Sequence, residues 1–253
     1  MANIFEIKNL SFSYSNKDIF NNLNINIEDG KITTLLGQNG CGKSTLLKIL
    51  AKNITYSKGN IIFDNKELNS YSAKELAKKL SMVYQKNTIP EEITVYNMVS
   101  FARLPYQNIL FYKNSEDDRK KVEFALEQTD LLDLKETLVS ELSGGQLQRV
   151  YIAMCLAQDT KTLILDEPTT FLDIKYQKSI LELIKKLNKD FNLTIIMVLH
   201  DINQSLNYSD NIIALKNGEV IAKGQNSQFY NEQLLSNIYD TTIKIENNHV
   251  ISW

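Results

Sequence analysis

Glycine is scarce in this sequence, and its distribution is uneven. Only nine glycines occur among 253 residues, and five of them lie in two short segments, 37–42 and 144–145. Glycine readily adopts backbone conformations that other residues avoid, so both segments are expected to need special backbone. These two segments are therefore the first candidates for a functional site.

The sequence also lacks the marks of several protein classes. Its only cysteines are Cys41 and Cys155, and no charged and apolar leader precedes the first motif, which favours a reduced, cytosolic setting without disulfides. No uncharged apolar run approaches the roughly 18 residues of a membrane helix, so the chain itself is not expected to span a bilayer. With 28 basic against 30 acidic residues, no nucleic-acid partner is expected.

The pattern of apolar residues predicts an α/β fold in a single domain. The first thirty residues alternate apolar and polar positions, which is typical of antiparallel strands. Beyond them, short apolar runs alternate with helical stretches, which predicts a mostly parallel sheet buried on both faces. The predicted strands are 32–36, 82–84, 163–165 and 195–199, and the predicted helices are 44–52, 72–80, 146–158 and 174–189.

Between residues 86 and 149 the strand-like runs disappear and helical patterns dominate, for instance over 116–128. We therefore expect an all-helical subdomain, 86–149, inserted into a core of residues 1–85 and 150–253. The charged run 117–121 is expected to be a solvated helix face. Asn217-Gly218 between alternating apolar residues predicts a tight hairpin, and the last thirty residues indicate a short helix and a small strand pair.

The first glycine-rich segment carries a phosphate-binding pattern. Residues 37–44, GQNGCGKS, match GxxxxGK[ST] between a predicted strand and a predicted helix. Backbone amides can converge there on a β-phosphate, Lys43 can reach the β and γ oxygens, and Ser44 can bind Mg²⁺. A glycine-rich turn with a solvated lysine is the alternative. Lys43 near Cys41 also predicts a lowered thiol pKa while no nucleotide fills the loop.

Polar residues follow three further predicted strands. Asp166 and Glu167 end one strand, where the first can hold Mg²⁺ through water and the second can polarise an attacking water. Gln85 and His200 each follow another strand. Any of these can instead be a solvated cap or loop residue, but ligands of open parallel sheets bind at the carboxyl ends of strands, which favours one shared site. Tyr14 can stack on a purine ring or be a core aromatic on an edge strand.

The second glycine-rich segment, ELSGGQLQRV at 141–150, predicts the start of a helix. Ser143 and Gln146 have the spacing of a capping box. Gly144 and Gly145 then lie in the first turn, where each costs about 1 kcal/mol relative to alanine. A helix start can bind an anion, but the chain already has a phosphate loop. The two glycines therefore need another explanation.

Taken together, these motifs resemble one family. GQNGCGKST at 37–45, Gln85, LSGGQ at 142–146, LILDEPTTFLD at 163–173 and His200 occur in the order found in nucleotide-binding subunits of ATP-binding-cassette (ABC) transporters. LSGGQ is the most specific of these motifs, and the resemblance covers nearly the whole chain. It implies a P-loop NTPase core that hydrolyses ATP with Mg²⁺.

The resemblance implies a role for each matching residue. Glu167 is similar to the general base, His200 to the switch that contacts the γ-phosphate, and Gln85 to the sensor of Mg²⁺ and water; Lys43 is implied in catalysis as well. The implied metal ligands are Ser44, Gln85 and Asp166. The implied nucleotide contacts are Tyr14 on adenine, Gly37, Asn39, Gly40, Cys41, Gly42, Lys43, Ser44 and Thr45 in the phosphate loop, and Ser143, Gly144, Gly145, Gln146 and Asp173 acting on the nucleotide of a second copy.

A finer resemblance points to importers of iron-siderophore, haem or cobalamin. It rests on ARLPY at 102–106, which is similar to the GRYP segment of that branch, and on residues 154–173. Leu147 and Ala102 depart from the family pattern, but neither removes a phosphate or metal contact. The implied partners are a second copy in an ATP-dependent homodimer, two permease chains and, indirectly, an external solute-binding protein. We expect the chain at the cytoplasmic face of the cell membrane, docked around residues 91–106.

Two rival functions stay open at this point, besides import of another cargo. A soluble ABC ATPase of translation or DNA repair usually carries two cassettes or a long coiled-coil insertion, and neither is evident here. A regulatory module that binds nucleotide without hydrolysing it is disfavoured by the intact Asp166, Glu167 and His200.

Overall fold

A computed structural model describes residues 2–15, 17–85, 92–107 and 115–252. The chain divides into two compact units, Met1–Ser70 with Asn188–Trp253, and Tyr71–Leu187. The strands are β1 (Asn3–Tyr14), β2 (Lys17–Glu28), β3 (Ile32–Leu36), β4 (Lys58–Phe63), β5 (Lys66–Glu67), β6 (Leu80–Val83), β7 (Thr162–Asp166), β8 (Thr194–Val198), β9 (Asn211–Lys216), β10 (Glu219–Gln225), β11 (Ile243–Glu246) and β12 (His249–Ser252). The α-helices are α1 (Lys43–Leu50), α2 (Ala73–Ala77), α3 (Val95–Ser100), α4 (Glu116–Gln128), α5 (Gly144–Ala157), α6 (Ile174–Phe191), α7 (Ile202–Tyr208) and α8 (Glu232–Tyr239).

The first unit begins with an antiparallel sheet in the strand order β2-β1-β4-β5. Alternate residues of β1 and β2 are buried, as the alternation of apolar and polar residues predicted. β1 lies between β2 and β4, and both pairings are antiparallel. The predicted antiparallel start of the chain is therefore confirmed.

The same unit contains a mostly parallel set of strands in the order β10-β9-β3-β8. β3 pairs in parallel with both β8 and β9, and every residue of β3 and β8 is buried. β9 and β10 form an antiparallel hairpin whose turn residues Asn217 and Gly218 have φ of 50° and 80°. Two consecutive positive φ angles are what an Asn-Gly hairpin turn requires, so the predicted hairpin is confirmed.

The end of the chain packs onto this sheet. α8 and the hairpin of β11 and β12 contribute to an apolar cluster that also includes the last residue of β3. The predicted short helix and small strand pair are both present. The cluster ties the C-terminal segment to the strand that leads into residues 37–44.

The second unit combines a parallel strand pair with helices. β6 and β7 pair in parallel, and every residue of β7 is buried. Over 92–107 and 115–149 the regular elements are helical, apart from one isolated bridge between Thr94 and Leu138. α5 packs against α3 and α4. This confirms the helical insertion for the residues that the structure describes.

Some predicted boundaries and surfaces differ from the structure. The helix predicted at 72–80 ends at Ala77, because the chain enters β6 at Leu80. The charged run 117–121 is not simply a solvated face, because Asp118 is 5% exposed and accepts a 2.8 Å hydrogen bond from the buried Arg103. Within the described ranges, no helix is both long and apolar enough to cross a membrane.

Candidate active site

The phosphate-loop segment follows β3 and has a backbone conformation that residues other than glycine adopt only with strain. Gly37 and Gly42 have φ of 145° and 106°, both in the region that favours glycine. A Cβ at Gly37 would overlap the carbonyl oxygen of Leu215, and a Cβ at Gly42 would lie 2.6 Å from the Phe20 ring. Both glycines are therefore fixed by conformation and by the close approach of neighbouring groups.

The N-terminus of α1 presents donors that suit an anion. Gly42 is the N-cap and supplies no side-chain cap, so the first-turn amides can donate to a phosphate. Lys43 is buried, and its Nζ donates to the carbonyl oxygens of Gly37 at 2.7 Å and Gln38 at 2.9 Å. Ser44 and Thr45 are half-buried in the same helical turn, whereas Asn39 in the loop is exposed.

The predicted lowering of the Cys41 pKa is wrong. Burial raises the pKa of the Cys41 thiol above its ordinary value, and the charge of Lys43 only partly offsets this effect. The residue is 7% exposed, so desolvation of the thiolate dominates. Cys41 is consequently a neutral thiol near pH 7 and contributes its backbone to the loop.

His200 lies at the same edge of the sheet as the phosphate loop. β3 and β8 are neighbouring parallel strands with Leu35 opposite Val198, so the residues that follow them emerge side by side. His200 is exposed, and the next residue, Asp201, begins α7 by accepting a 2.8 Å hydrogen bond from the Gln204 amide. Within the first unit, the predicted convergence at strand ends is present.

Tyr14 ends β1 with its ring 45% exposed. Its ring meets Phe12 edge-on, with centroids 4.8 Å apart. β1 is not an edge strand, and the ring is not part of the core, so the core-aromatic alternative is wrong. The exposed ring face is compatible with stacking on a planar ligand.

In the second unit, the end of β7 carries the acid pair beside Gln85. Asp166 is the last residue of β7 and is buried, and Val83 lies opposite Leu165 in the neighbouring strand. The Gln85 side-chain amide donates a hydrogen bond to the Glu167 carboxylate. The Glu167 carboxylate is thus oriented by the residue that follows the adjacent strand.

Glu167 has a second donor that the sequence did not indicate. The Thr170 hydroxyl donates to the same carboxylate oxygen at 3.0 Å. Glu167 itself has φ of 57°, in the left-handed region, and its carbonyl accepts from the Thr170 amide at 3.2 Å. This tight turn brings the threonine hydroxyl back onto the carboxylate, and such a contact has no signal in residue spacing alone.

The capping box predicted at the start of α5 is present. The Ser143 hydroxyl accepts from the Gln146 amide at 3.4 Å, and the Ser143 amide donates to the Gln146 side chain at 2.9 Å. Gly145 is needed for packing, because a Cβ there would lie 2.6 Å from the Tyr176 ring. A Cβ at Gly144 would meet only Leu172, at 3.4 Å. Packing within the chain thus explains why residue 145 is a glycine, but it does not explain the glycine at position 144.

Asp173 lies on the exposed segment that precedes α6. Its carboxylate accepts from the Tyr176 amide at 3.1 Å. Its neighbours Phe171 and Ile174 are 84% and 85% exposed, which is unusual for large apolar side chains. The segment around Asp173 therefore presents an apolar surface beside a carboxylate.

The three predicted metal ligands are oxygen donors. Ser44 offers a hydroxyl, Gln85 an amide carbonyl and Asp166 a buried carboxylate, and Mg²⁺ prefers such hard ligands. Across the described part of the chain, no cluster of three or more His, Cys, Asp or Glu side chains is suited to hold a metal. Each of the three side chains is therefore chemically suited to Mg²⁺.

The ABC transporter family profile matches residues 20–170. An achromobactin transport ATP-binding protein, CbrD of Dickeya dadantii, is 42% identical over 94% of this chain and 88% of its own length. The iron(3+)-hydroxamate import ATP-binding protein FhuC of Bacillus subtilis is 40% identical over 96% of this chain and 90% of its own length.

A similar fold occurs in a solved structure described as the dimeric, post-hydrolysis state of the ATP-binding cassette MJ0796 bound to ADP and Pi. It is 30% identical, with a TM-score of 0.75, and the match covers 88% of this chain and 98% of that one.

Proposed function

This chain belongs to the ATPases of the ABC transporter family, and we propose that it powers a membrane importer of ferric siderophores or similar iron chelates. One observation carries the choice of cargo: relatives named for achromobactin transport and iron(3+)-hydroxamate import align with nearly the whole chain. The ARLPY segment at 102–106 supports the same branch. The whole chain acts in this proposal as one ATPase domain on the cytoplasmic face of the membrane.

ATP binds at the phosphate loop. Lys43 and the first-turn amides of α1 hold the β- and γ-phosphates, and Tyr14 stacks on the adenine. Ser44, Gln85 and Asp166 would hold Mg²⁺, which would neutralise charge on the phosphate oxygens. These assignments rest on the loop geometry and on the match to the family motifs.

Hydrolysis requires a water held in line with the γ-phosphate. Glu167 accepts a hydrogen bond from this water and then its proton, and Gln85 and Thr170 orient the carboxylate. His200 contacts the γ-phosphate and stabilises the charge that develops on it. Positioning and charge stabilisation account for most of the catalysis of phosphoryl transfer.

A second copy of the chain completes the site. Ser143, Gly144 and Gly145 at the start of α5 contact the γ-phosphate bound by the partner copy, which explains why Gly144 has no packing role of its own. The exposed Phe171 and Ile174 beside Asp173 become covered in the dimer. ATP thus joins two copies, and loss of the γ-phosphate contacts lets them separate.

The permease docks on the helical part of the second unit. The expected docking segment begins at Glu91, which lies outside the described residues, and continues to Tyr106. Its described part exposes Phe101 and Leu104 at 43% and 47%. Arg103 below them is buried and stacks 3.9 Å from the Tyr106 ring centroid, which gives this surface a rigid base. An exposed apolar pair on a rigid base suits a partner helix.

The substitution Glu167→Gln tests the catalytic assignment. Loss of a general base is expected to lower phosphate release by a factor of about 10² to 10⁴ while ADP still binds. The variant should also remain an ATP-bound dimer on gel filtration. Glu123→Gln, the same change at an exposed position of α4, serves as the control. Turnover of Glu167→Gln close to the wild-type rate would remove Glu167 from the proposed role.

Growth of a deletion strain on defined iron sources tests cargo and docking together. The wild-type gene and a Phe124→Glu control, altered on the exposed face of α4, should restore growth on a ferric siderophore. Phe101→Glu should not restore growth, although the purified variant should still hydrolyse ATP. Full growth with Phe101→Glu would place docking elsewhere, and restored growth only with another cargo would contradict iron-chelate import.

A further inference from the structure

The C-terminal helix packs directly behind the phosphate loop. Leu36 ends β3 immediately before Gly37, and it is fully buried in one apolar cluster with Leu235 and Ile238 of α8. Leu36 belongs to the nucleotide-binding strand, whereas α8 lies about two hundred residues later in the chain. The position of the loop's first residue is therefore coupled to the position of α8.

Tyr239, the last residue of α8, contacts the loop itself. Its side chain packs against the apolar cluster that contains Leu36, and its hydroxyl lies near the Gly37 backbone amide, with Cys41 and Asp201 within electrostatic reach. Burial raises the pKa of Tyr239 above its ordinary value, so the hydroxyl keeps its proton near pH 7. Tyr239 thus lies where the phosphate loop and the segment after His200 approach each other.

Asp240, the C-cap of α8, holds the next residue of the loop. Its carboxylate accepts a 3.1 Å hydrogen bond from the Gln38 side-chain amide. Lys216 of β9 donates to the other carboxylate oxygen at 2.6 Å and to the Asn237 carbonyl at 2.5 Å. Asp240 has φ of 52°, the left-handed conformation that ends many helices. Gln38 is consequently hydrogen-bonded to a carboxylate whose other oxygen is held by Lys216.

We propose that Tyr239 and Asp240 are positioning residues for the nucleotide, because they hold Gly37 and Gln38 in place from behind the phosphate loop. The inference takes ATP binding at this loop as its premise. It assigns a role to a C-terminal segment whose sequence gave no functional signal.

The hydrogen bonds of Lys43 indicate why support from the C-terminal helix affects nucleotide binding. Its ammonium group bonds the carbonyl oxygens of Gly37 and Gln38, the same two residues that the C-terminal helix holds. When Lys43 turns toward phosphate oxygens, both carbonyls lose this donor. The packing of Tyr239 beside Gly37 and the hydrogen bond from Gln38 to Asp240 keep the two residues in position during that exchange, which lowers the conformational cost of binding. Removing either contact should weaken nucleotide binding more than it slows chemistry.

The test is calorimetric titration with ADP, which fills the loop without hydrolysis. Tyr239→Phe keeps the ring and removes the hydroxyl, and Asp240→Ala removes the acceptor for Gln38. Each should raise the Kd for ADP about fivefold to tenfold, the effect of one hydrogen bond. The KM for ATP should rise by a similar factor, and kcat should change by less than about twofold, since ground-state and transition-state binding are weakened alike.

Tyr230→Phe is the matched control. Tyr230 packs against the same apolar cluster, but its hydroxyl donates to Asn207 at 3.2 Å and not to the loop. This variant should leave the Kd unchanged. A double-mutant cycle adds specificity: Gln38→Ala and Asp240→Ala remove the same bond, so their effects on Kd should not add.

Three results would overturn the proposal. One is a wild-type Kd in both Tyr239→Phe and Asp240→Ala together with a lowered melting temperature, which would show a role in stability alone. Another is an equal Kd increase in Tyr230→Phe, and the third is strict additivity in the cycle. If Tyr239→Phe fails to fold, the Kd of Asp240→Ala for ADP still tests the proposal, because Asp240 is exposed. Wild-type protein that binds no ADP would instead contradict the premise.

Discussion

At the scale of single residues, Gly144 and Gly145 occupy one helical turn but have different surroundings. A Cβ at Gly145 would press on the Tyr176 ring, whereas a Cβ at Gly144 has room beside Leu172. Alanine stabilises a helix by about 1 kcal/mol relative to glycine, and overpacking costs about 1–3 kcal/mol. The neighbouring side chain therefore determines whether each alanine substitution raises or lowers the free energy of unfolding.

We expect Gly145→Ala to lower the free energy of unfolding by about 1–2 kcal/mol, because the ring of Tyr176 must shift. Gly144→Ala should raise the free energy of unfolding by up to about 1 kcal/mol. Urea denaturation without nucleotide measures both changes. In a Tyr176→Ala background, Gly145→Ala should lower the free energy of unfolding by less than it does in the wild type. Shifts of the same sign for the two alanine substitutions would contradict this account of the site.

At the scale of secondary-structure elements, a buried ion pair joins three helical segments. Arg103 follows α3, and its guanidinium bonds Asp118 of α4 at 2.8 Å and the Ala157 carbonyl of α5 at 2.9 Å. Asp118 also closes the N-terminal capping box of α4 with Ser115. Loss of one partner of a buried pair costs about 3–5 kcal/mol, because the other charge stays buried without compensation.

This pair predicts how the stability of the chain depends on pH. Burial alone would raise the pKa of Asp118, but hydrogen bonds from Arg103 and Ser115 outweigh it and hold the pKa below its ordinary value of 3.8. Because the folded-state pKa is lowered, the stabilisation is complete well above pH 3.8 and is lost as the pH falls through the folded pKa. Wild-type stability should therefore decrease below about pH 4.

Urea denaturation between about pH 3 and 7 checks this expectation. Asp118→Asn should be less stable than wild type at pH 7 and should show a flatter acid dependence. Glu116→Gln is the control, since its exposed pair with Lys120, 2.9 Å long, contributes only about 0.3–0.5 kcal/mol. An unchanged acid slope in Asp118→Asn would show that other carboxylates cause the loss.

At the scale of the whole molecule, the two nucleotide-contacting motifs of one chain act on different nucleotides in the proposed dimer. The phosphate loop binds the chain's own ATP, and the start of α5 contacts the ATP of the partner copy. In the proposed dimer, Gly144 faces the γ-phosphate bound by the partner copy. An aspartate there fits the folded chain, because only Leu172 lies near the new Cβ. Its charge would repel the phosphate across the interface.

We expect Gly144→Asp to bind ADP with nearly wild-type affinity but to abolish ATP-dependent dimer formation and turnover. Calorimetry measures binding, gel filtration in a Glu167→Gln background measures dimerisation, and phosphate release measures turnover. Gly144→Ala adds a side chain without charge and separates the effect of bulk from that of charge. Dimers of Gly144→Asp that form as readily as those with the wild-type glycine would contradict the shared-site proposal.

Most of the local structure and the family of the protein could be predicted from the sequence alone. The buried strands, the three-residue spacing of the capping boxes, the Asn-Gly hairpin and the phosphate loop all depend on residues close together in the chain. Short-range patterns of polarity and backbone preference specify such features directly. The motif order likewise implied an ABC ATPase, as the comparisons show.

Which distant side chains meet depends on the tertiary structure. Four contacts had no signal in residue spacing: the burial of Asp118 against Arg103, the Tyr176 ring over Gly145, the Thr170 bond to Glu167 and the Gln38 bond to Asp240. Burial likewise reversed the expected shift of the Cys41 pKa. Desolvation and side-chain contact depend on the packing of elements far apart in the chain, and no local pattern records that packing.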